Sequence, residues 1–135
     1  MYEDAEEIKT FTLSEARSLL PKLRKLLSHM TREREALKLL GGEVEKARAK
    51  SDYGGGSASG PAYLHHLTAF SEVVQEIEML GVLVKDFRTG LVDFPYERDG
   101  RIVYLCWQQN EDEIEWWHET DSGFAGRRPL FEDNE

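Results

Sequence analysis

Leu91-Val92-Asp93-Phe94-Pro95-Tyr96-Glu97-Arg98-Asp99-Gly100-Arg101-Ile102-Val103-Tyr104-Leu105-Cys106-Trp107 is the stretch that decides the fold. Two runs rich in β-branched and aromatic residues flank Asp99-Gly100, a pair suited to a two-residue turn in which both residues take positive φ. Such a turn pairs Glu97 with Ile102, sets Phe94 opposite Leu105 and sets Asp93 opposite Cys106. Working outward, the period of two extends over Val82 to Phe87, Leu91 to Tyr96, Ile102 to Trp107 and Glu113 to His118. Arg88-Thr89-Gly90, Asp99-Gly100 and a polar turn around Asn110-Glu111 separate these runs. The expectation is a four-stranded antiparallel meander. All three tryptophans and the only cysteine lie within it, between Cys106 and Trp117.

Upstream the period becomes helical. Thr12-Leu13-Ser14-Glu15 reads as a capping box that opens a helix over 12–50. Apolar residues then recur at spacings of seven, with Ala16, Leu23, Met30, Leu37 and Val44 in one row and Leu13, Leu20 and Leu27 in another. Pro21 removes a backbone bond to Arg17 and predicts a kink between them, and Gly41-Gly42 is a second weak point. Ser51 to Gly60 is glycine- and serine-rich and reads as a flexible linker rather than a phosphate loop, since no Lys-Ser or Lys-Thr closes it. A second helix follows over 61–80, with Tyr63, Leu67, Phe70, Val74 and Ile77 on one stripe and Gly81 as its cap. The helices form an antiparallel hairpin. At about 1.5 Å per residue they differ in length, about 58 Å against about 30 Å, so either the first breaks near Gly41-Gly42 or its far end buries its stripe against a second copy.

The chain of 135 residues suits a single α+β domain: a long antiparallel helical hairpin packed on the small meander, with 119–135 folding back as a tail. No apolar run is long enough to span a bilayer, and the acidic opening is unlike a signal peptide, so the expected location is cytoplasmic, with no membrane partner. One cysteine supplies neither a disulfide nor a zinc finger. The net charge is −9 but unevenly placed: Arg17 to Lys50 holds 10 Lys/Arg against 4 Asp/Glu, and Pro61 to Glu135 holds 6 against 16. The halves attract each other. The acidic total disfavours nucleic acid, which only the basic first helix keeps open.

A two-residue turn at Asn110-Glu111 sets Trp107 beside Ile114, Leu105 beside Trp116 and Cys106 beside Glu115. One face then carries Val92, Phe94, Tyr96, Val103, Leu105, Trp107, Ile114, Trp116 and His118 and packs on the helices. The other carries the row Asp93, Cys106, Glu115 and the row Pro95, Tyr104, Trp117. A bulge in either hairpin flips one strand. A carboxylate–thiol–carboxylate row beside aromatics suits a metal or a small ligand, yet a buried apolar cysteine beside solvated acids is the plainer reading. In this register His118 lies on the opposite face, too far to serve Cys106 as a base, and no metal ligand set is assigned. His65-His66 cannot share a metal. In the tail, Phe124, Leu130 and Phe131 are expected to cover the second face, with Arg127 or Arg128 pairing Asp93 or Glu115, or clamping an anion.

The residues Gly90 to Pro95, Asp99-Gly100-Arg101, Leu105-Cys106-Trp107, Trp117-His118 and Gly123 to Pro129, with Ala16 to Arg24 upstream, resemble a prokaryotic family known as domain of unknown function 2203. Nearly the whole chain outside the linker shares the likeness. Members commonly show Gly-Glu in the turn after the cysteine-tryptophan strand, where this chain has Asn110-Glu111. The resemblance implies no reaction, substrate or cofactor.

Three functions follow from this sequence, in falling order. The first is a non-catalytic interaction or scaffold domain that forms a homodimer or larger oligomer through its helices. The second is a ligand- or metal-binding domain, or an enzyme, with candidate residues Asp93, Tyr104, Cys106, Glu115, Trp117, His118 and Arg127. The third is nucleic-acid binding.

Overall fold

The computed structural model describes residues 8–49 and 60–131. The acidic opening, residues 50–59, which hold the end of the expected first helix and most of the linker, and the last four residues lie outside the described residues, as do the side chains of Val44, Ala47 and Arg48. The architecture is α+β. Helices α1 (Leu13–Ser18), α2 (Leu20–Ala49) and α3 (Gly60–Met79) precede an antiparallel sheet of five strands in sequential order: β1 (Leu83–Asp86), β2 (Leu91–Arg98), β3 (Arg101–Gln108), β4 (Trp116–His118) and β5 (Arg128–Pro129). The fifth strand corrects the four-stranded expectation.

The capping box forms as the sequence predicts. Thr12 Oγ1 accepts from the Glu15 amide at 3.0 Å, and the Glu15 carboxylate accepts from the Thr12 amide at 2.9 Å. Pro21 makes its break: α1 ends at Ser18, Leu19 caps it, and α2 begins at Leu20. The Leu23 amide still reaches the Leu19 carbonyl at 2.8 Å, so the chain bends without losing its helical sense. Gly41-Gly42 does not interrupt α2. The two long helices run antiparallel, since Tyr63 lies against Gly41 while His66, further along α3, places Nδ1 2.5 Å from Glu33 Oε1, further back along α2.

The β2–β3 hairpin follows from its turn. Asp99 and Gly100 both have positive φ, 54° and 78°, and the register pairs Glu97 with Ile102, Phe94 with Leu105 and Asp93 with Cys106. Pro95 sits inside β2 without breaking it because β1 pairs only as far as Asp93. Beyond that point the Pro95 carbonyl accepts from the Phe11 amide at 2.8 Å, and Phe11 stacks edge-on against Phe94 at 5.5 Å. The N-terminal segment thus replaces the missing strand. The register of β1 shifts between Val84 and Asp86, which makes Lys85 the extra residue of a bulge.

The β3–β4 connection overturns the expected register. Tyr104 pairs with His118, Leu105 with Trp117 and Cys106 with Trp116. No two-residue turn forms, because the Glu111 side chain occupies the end of β3: its Oε1 accepts from the Gln108 amide at 2.9 Å, while the Glu111 amide returns to the Gln108 carbonyl. Its own carbonyl receives Trp107 Nε1–H at 3.0 Å and Arg24 at 3.2 Å. The chain from Gln109 to Glu115 is a loop, with Ile114 buried in the core. Every side chain of β4 is therefore exchanged between faces.

One core joins helices and sheet. Leu20, Leu23, Leu27 and Met30 of α2 and Val73 and Ile77 of α3 pack on Val92, Phe94, Val103, Leu105, Trp107 and Trp117. The basic first half and the acidic second half do meet: Arg17 pairs with Glu113 at 3.7 Å, and Arg24 donates to the Glu111 and Asp112 carbonyls. No helix of the described residues is long and apolar enough to cross a membrane.

Candidate functional site

The sheet face turned away from the helices carries Asp93 on β2, Tyr104 and Cys106 on β3, and Trp116 and His118 on β4. Alternation along each strand puts them there. Asp93 is 1% exposed, His118 3% and Cys106 0%, so three ionisable groups are as buried as the aliphatic core behind them. One carboxylate oxygen, one imidazole nitrogen and the thiol sulfur all lie within 4.8 Å of one another.

The hydrogen bonds fix how protons are placed. His118 Nδ1 lies 2.7 Å from the Glu119 carbonyl, which only accepts, so Nδ1 carries a proton. His118 Nε2 then faces both oxygens of Asp93, at 3.0 and 3.1 Å. A bare lone pair against a bare carboxylate repels; either one further proton lies between them or a cation does. Burial pushes the Asp93 carboxyl above the usual range, opposed by the His118 hydrogen bond and charge and by the Lys85 charge. Burial, reinforced by the Asp93 charge, pushes the Cys106 thiol up to about 12. Cys106 is therefore a thiol at neutral pH, and a nucleophilic role is not favoured although His118 is now close.

The imidazole is held from outside as well. Arg101 and Glu119 form a close ion pair through Nη2 and Nε, which anchors Glu119 to the start of β3 and lowers its carboxyl. The carbonyl of that residue orients the ring, and the ring lies against Tyr104 at 5.5 Å between centroids.

Above this cluster is a cleft of about 300 Å³. Asp93, Tyr104 and His118 form its floor, Lys85, Asp86 and Leu91 one wall, and Thr120, Ser122, Gly123 and Phe124 the other. The β1 bulge is what brings both Lys85 and Asp86 to the wall. Lys85 Nζ stands 5.7 Å from the Tyr104 ring centre, and Asp86 caps its own turn through the Arg88 and Thr89 amides. The opposite wall ends in the helical turn Phe124–Gly126, whose Phe124 ring stacks on Arg127 at 4.5 Å.

A family model described as an uncharacterized conserved protein (DUF2203) matches residues 9–130. The chain belongs to this family. No curated protein and no solved structure matches the chain.

Of the residues singled out in this DUF2203 chain from sequence, the structure brings Asp93, Tyr104, Cys106 and His118 together on the cleft face. Glu115 and Trp117 are not there. Glu115 is exposed, with its carbonyl accepting from Leu130, and Trp117 is buried against the helices. His118 takes the place expected of Trp117, opposite Tyr104, and Trp116 leaves the core face for the place expected of Glu115, opposite Cys106, for the register reason above. Arg127 pairs with neither Asp93 nor Glu115: its Nη2 binds Glu111 Oε1 at 2.8 Å and the Cys106 carbonyl at 3.3 Å, and its guanidinium stacks on Trp116. It braces the site from the side. Leu130 joins the core rather than the second face, and Phe131 is exposed.

Lys85, Ser122, Glu111 and Glu119 also shape the site, beyond the candidates the sequence offers. Lys85 had a usable signal, since strict alternation places it on the same face as Asp93's partner Leu83. Glu119 and Ser122 act through backbone geometry in a loop, which leaves no periodic trace.

Proposed function

We propose that this chain is a small-ligand-binding domain whose site is the cleft above Asp93 and His118, and that its ligand is a small monoanion with a flat apolar body. The observation that carries this reading is the buried Asp93–His118 pair at the floor of an open cleft, 3.0 Å apart and nearly inaccessible. Desolvating such a pair costs several kcal/mol, and apolar residues would stabilise the sheet better, so stability alone does not account for it. Charge supports an anion. Asp93 and His118 balance each other, Asp86 lies 3.4 Å from Arg88, and Lys85 remains as the surplus positive charge at the wall. Tyr104 and Phe124 supply aromatic surface for a flat body.

The test is titration of sodium benzoate and of inorganic phosphate into the isotope-labelled chain, followed by amide shifts. Benzoate is expected to shift amides at Lys85, Tyr104 and Ser122 to Phe124, and Lys85→Ala to weaken it by up to about fivefold. Shifts elsewhere, or none at any concentration, would overturn the reading; a stronger response to phosphate would replace the flat body by a compact oxyanion.

Self-association through the helices is a second reading, and one observation favours it. Every fully buried residue of α2 and α3 lies at or before Met30 or at or after Val73. Among the described residues of Thr31–Ala49 and Gly60–Phe70 none is buried, and Leu39 and Leu64 are 74% and 63% exposed. A second copy covering this arm would complete a four-helix bundle. Sedimentation of the chain is expected to give a dimer that Leu39→Glu dissociates; a monomer at high concentration would dispose of it. The basic first helix spends Arg17 and Arg24 on the acidic loop 111–113, which reduces what it offers to nucleic acid.

A further inference from the structure

We infer that Asp93, Cys106 and His118 form a three-ligand site for a divalent transition metal of the zinc class, with its fourth position opening into the cleft. This deepens the cleft reading and rests on it, naming what lies at the floor.

Three features of the geometry converge. First, the donors are one imidazole nitrogen, one thiol sulfur and one carboxylate, a mixed nitrogen, sulfur and oxygen set that suits zinc or cobalt and not calcium or magnesium. Second, they are already gathered. Tetrahedral bonds of about 2.0–2.3 Å require donors about 3.3–3.8 Å apart, and these lie within 4.8 Å of one another with Nε2 and the carboxylate at 3.0 Å, so closing movements of about 1–1.5 Å, shared among the three side chains, suffice. Third, the imidazole is oriented as a ligand. Nδ1–H is committed to the Glu119 carbonyl, which leaves Nε2 as the atom facing the other donors.

The access route also fits. Asp93 and His118 line the cleft, whereas Cys106 lies beneath them, so an ion entering from the cleft meets nitrogen and oxygen first and seats on sulfur. A dication with one thiolate and one carboxylate is neutral overall, and Lys85 at the wall favours an anion at the fourth position, the same ligand class the cleft suits without metal. Protons balance as follows. Metal entry displaces the Cys106 thiol proton and the single proton held between Asp93 and His118, while Nδ1–H stays in place, so two protons pass to solvent per ion bound.

The test uses the full chain, purified without a histidine tag and stripped with a chelator, and cobalt(II) chloride as the probe. One ion per chain is expected, with the visible bands of tetrahedral cobalt, a near-ultraviolet thiolate-to-cobalt band, and release of two protons read by calorimetry in buffers of different ionisation heat. Cys106→Ala, which keeps the buried position apolar, is expected to abolish the thiolate band and weaken binding by more than about tenfold. His118→Gln should weaken it similarly while keeping a thiolate band at saturating cobalt. Absence of cobalt bands in the wild type, or a near-ultraviolet band that survives in Cys106→Ala, would overturn the inference. Benzoate titration of the stripped protein separates the two readings: benzoate binding without any cobalt binding sinks the metal site alone, and loss of both sinks the cleft as well.

Discussion

At their centres the two faces of the sheet are equally buried and chemically opposite. Toward the helices Val92, Phe94, Val103, Leu105, Trp107 and Trp117 form a continuous apolar layer. Away from them Asp93, Cys106 and His118 are just as inaccessible, yet each is ionisable and each touches another. The first face explains why the sheet holds to the helices through area removed from water. The second is held by hydrogen bonds whose partners must all be present, because a buried polar group without a partner is far more costly than a buried methyl group. The difference teaches where selection for stability ends: the helix face needs only shape and volume, while the cleft face specifies which atom carries which proton.

That contrast can be broken first on the helix face. Trp107→Ala leaves a cavity the surrounding aliphatic residues cannot fill and also removes one of the two donors to the Glu111 carbonyl, leaving Arg24 alone on it; urea unfolding should show a loss of about 4 kcal/mol. On the cleft face, Asp93→Ala strands the His118 Nε2 in a buried setting, and a loss of about 3 kcal/mol is expected from the same measurement. A loss under about 1 kcal/mol would mean that the pair is hydrated and the contrast overstated. Away from both faces, Thr12→Ala removes the capping box of α1 and should cost about 1 kcal/mol, with no change at the cleft.

The smallest effect concerns pH and lies on the helix pair. Glu33 accepts from His66 on α3 and lies 3.3 Å from His29 on its own helix, and these contacts hold its carboxyl below the ordinary carboxylate value. Its folded pKa is thus lower than its unfolded one. The stabilisation is present above the unfolded value and is lost as pH falls through the lowered folded value. Denaturation profiles from neutral to acid pH should therefore be shallower in Glu33→Gln than in the wild type; parallel profiles would show that the contact contributes nothing.

How much of this was legible in the sequence varies by element, for physical reasons. Asp99-Gly100 marks a hairpin because the pair tolerates the two positive φ angles that a two-residue turn requires, and the β2–β3 register follows to the residue. Thr12 to Glu15 and Pro21 were equally local, and the helix start and break appear where they stand. The β3–β4 register was not local. Asn110-Glu111 looked like a turn, but Glu111 uses its carboxylate to take the Gln108 amide and Arg127, a long-range arrangement that no two-residue pattern announces. That one residue of slip hid the site, since it placed His118 with the tryptophans of the core and Glu115 beside Cys106. β5, two residues long and ending in Pro129, carries no periodicity to read.

The central claim is that the Asp93–His118 pair is kept for binding and at the expense of stability. Replacing both partners together, Asp93→Val with His118→Leu, tests it most directly, with stability in urea and benzoate binding followed on the same protein. The expected result is a chain at least as stable as the wild type that no longer binds benzoate. A double variant that is less stable than Asp93→Ala alone, or one that still binds benzoate, would contradict the claim.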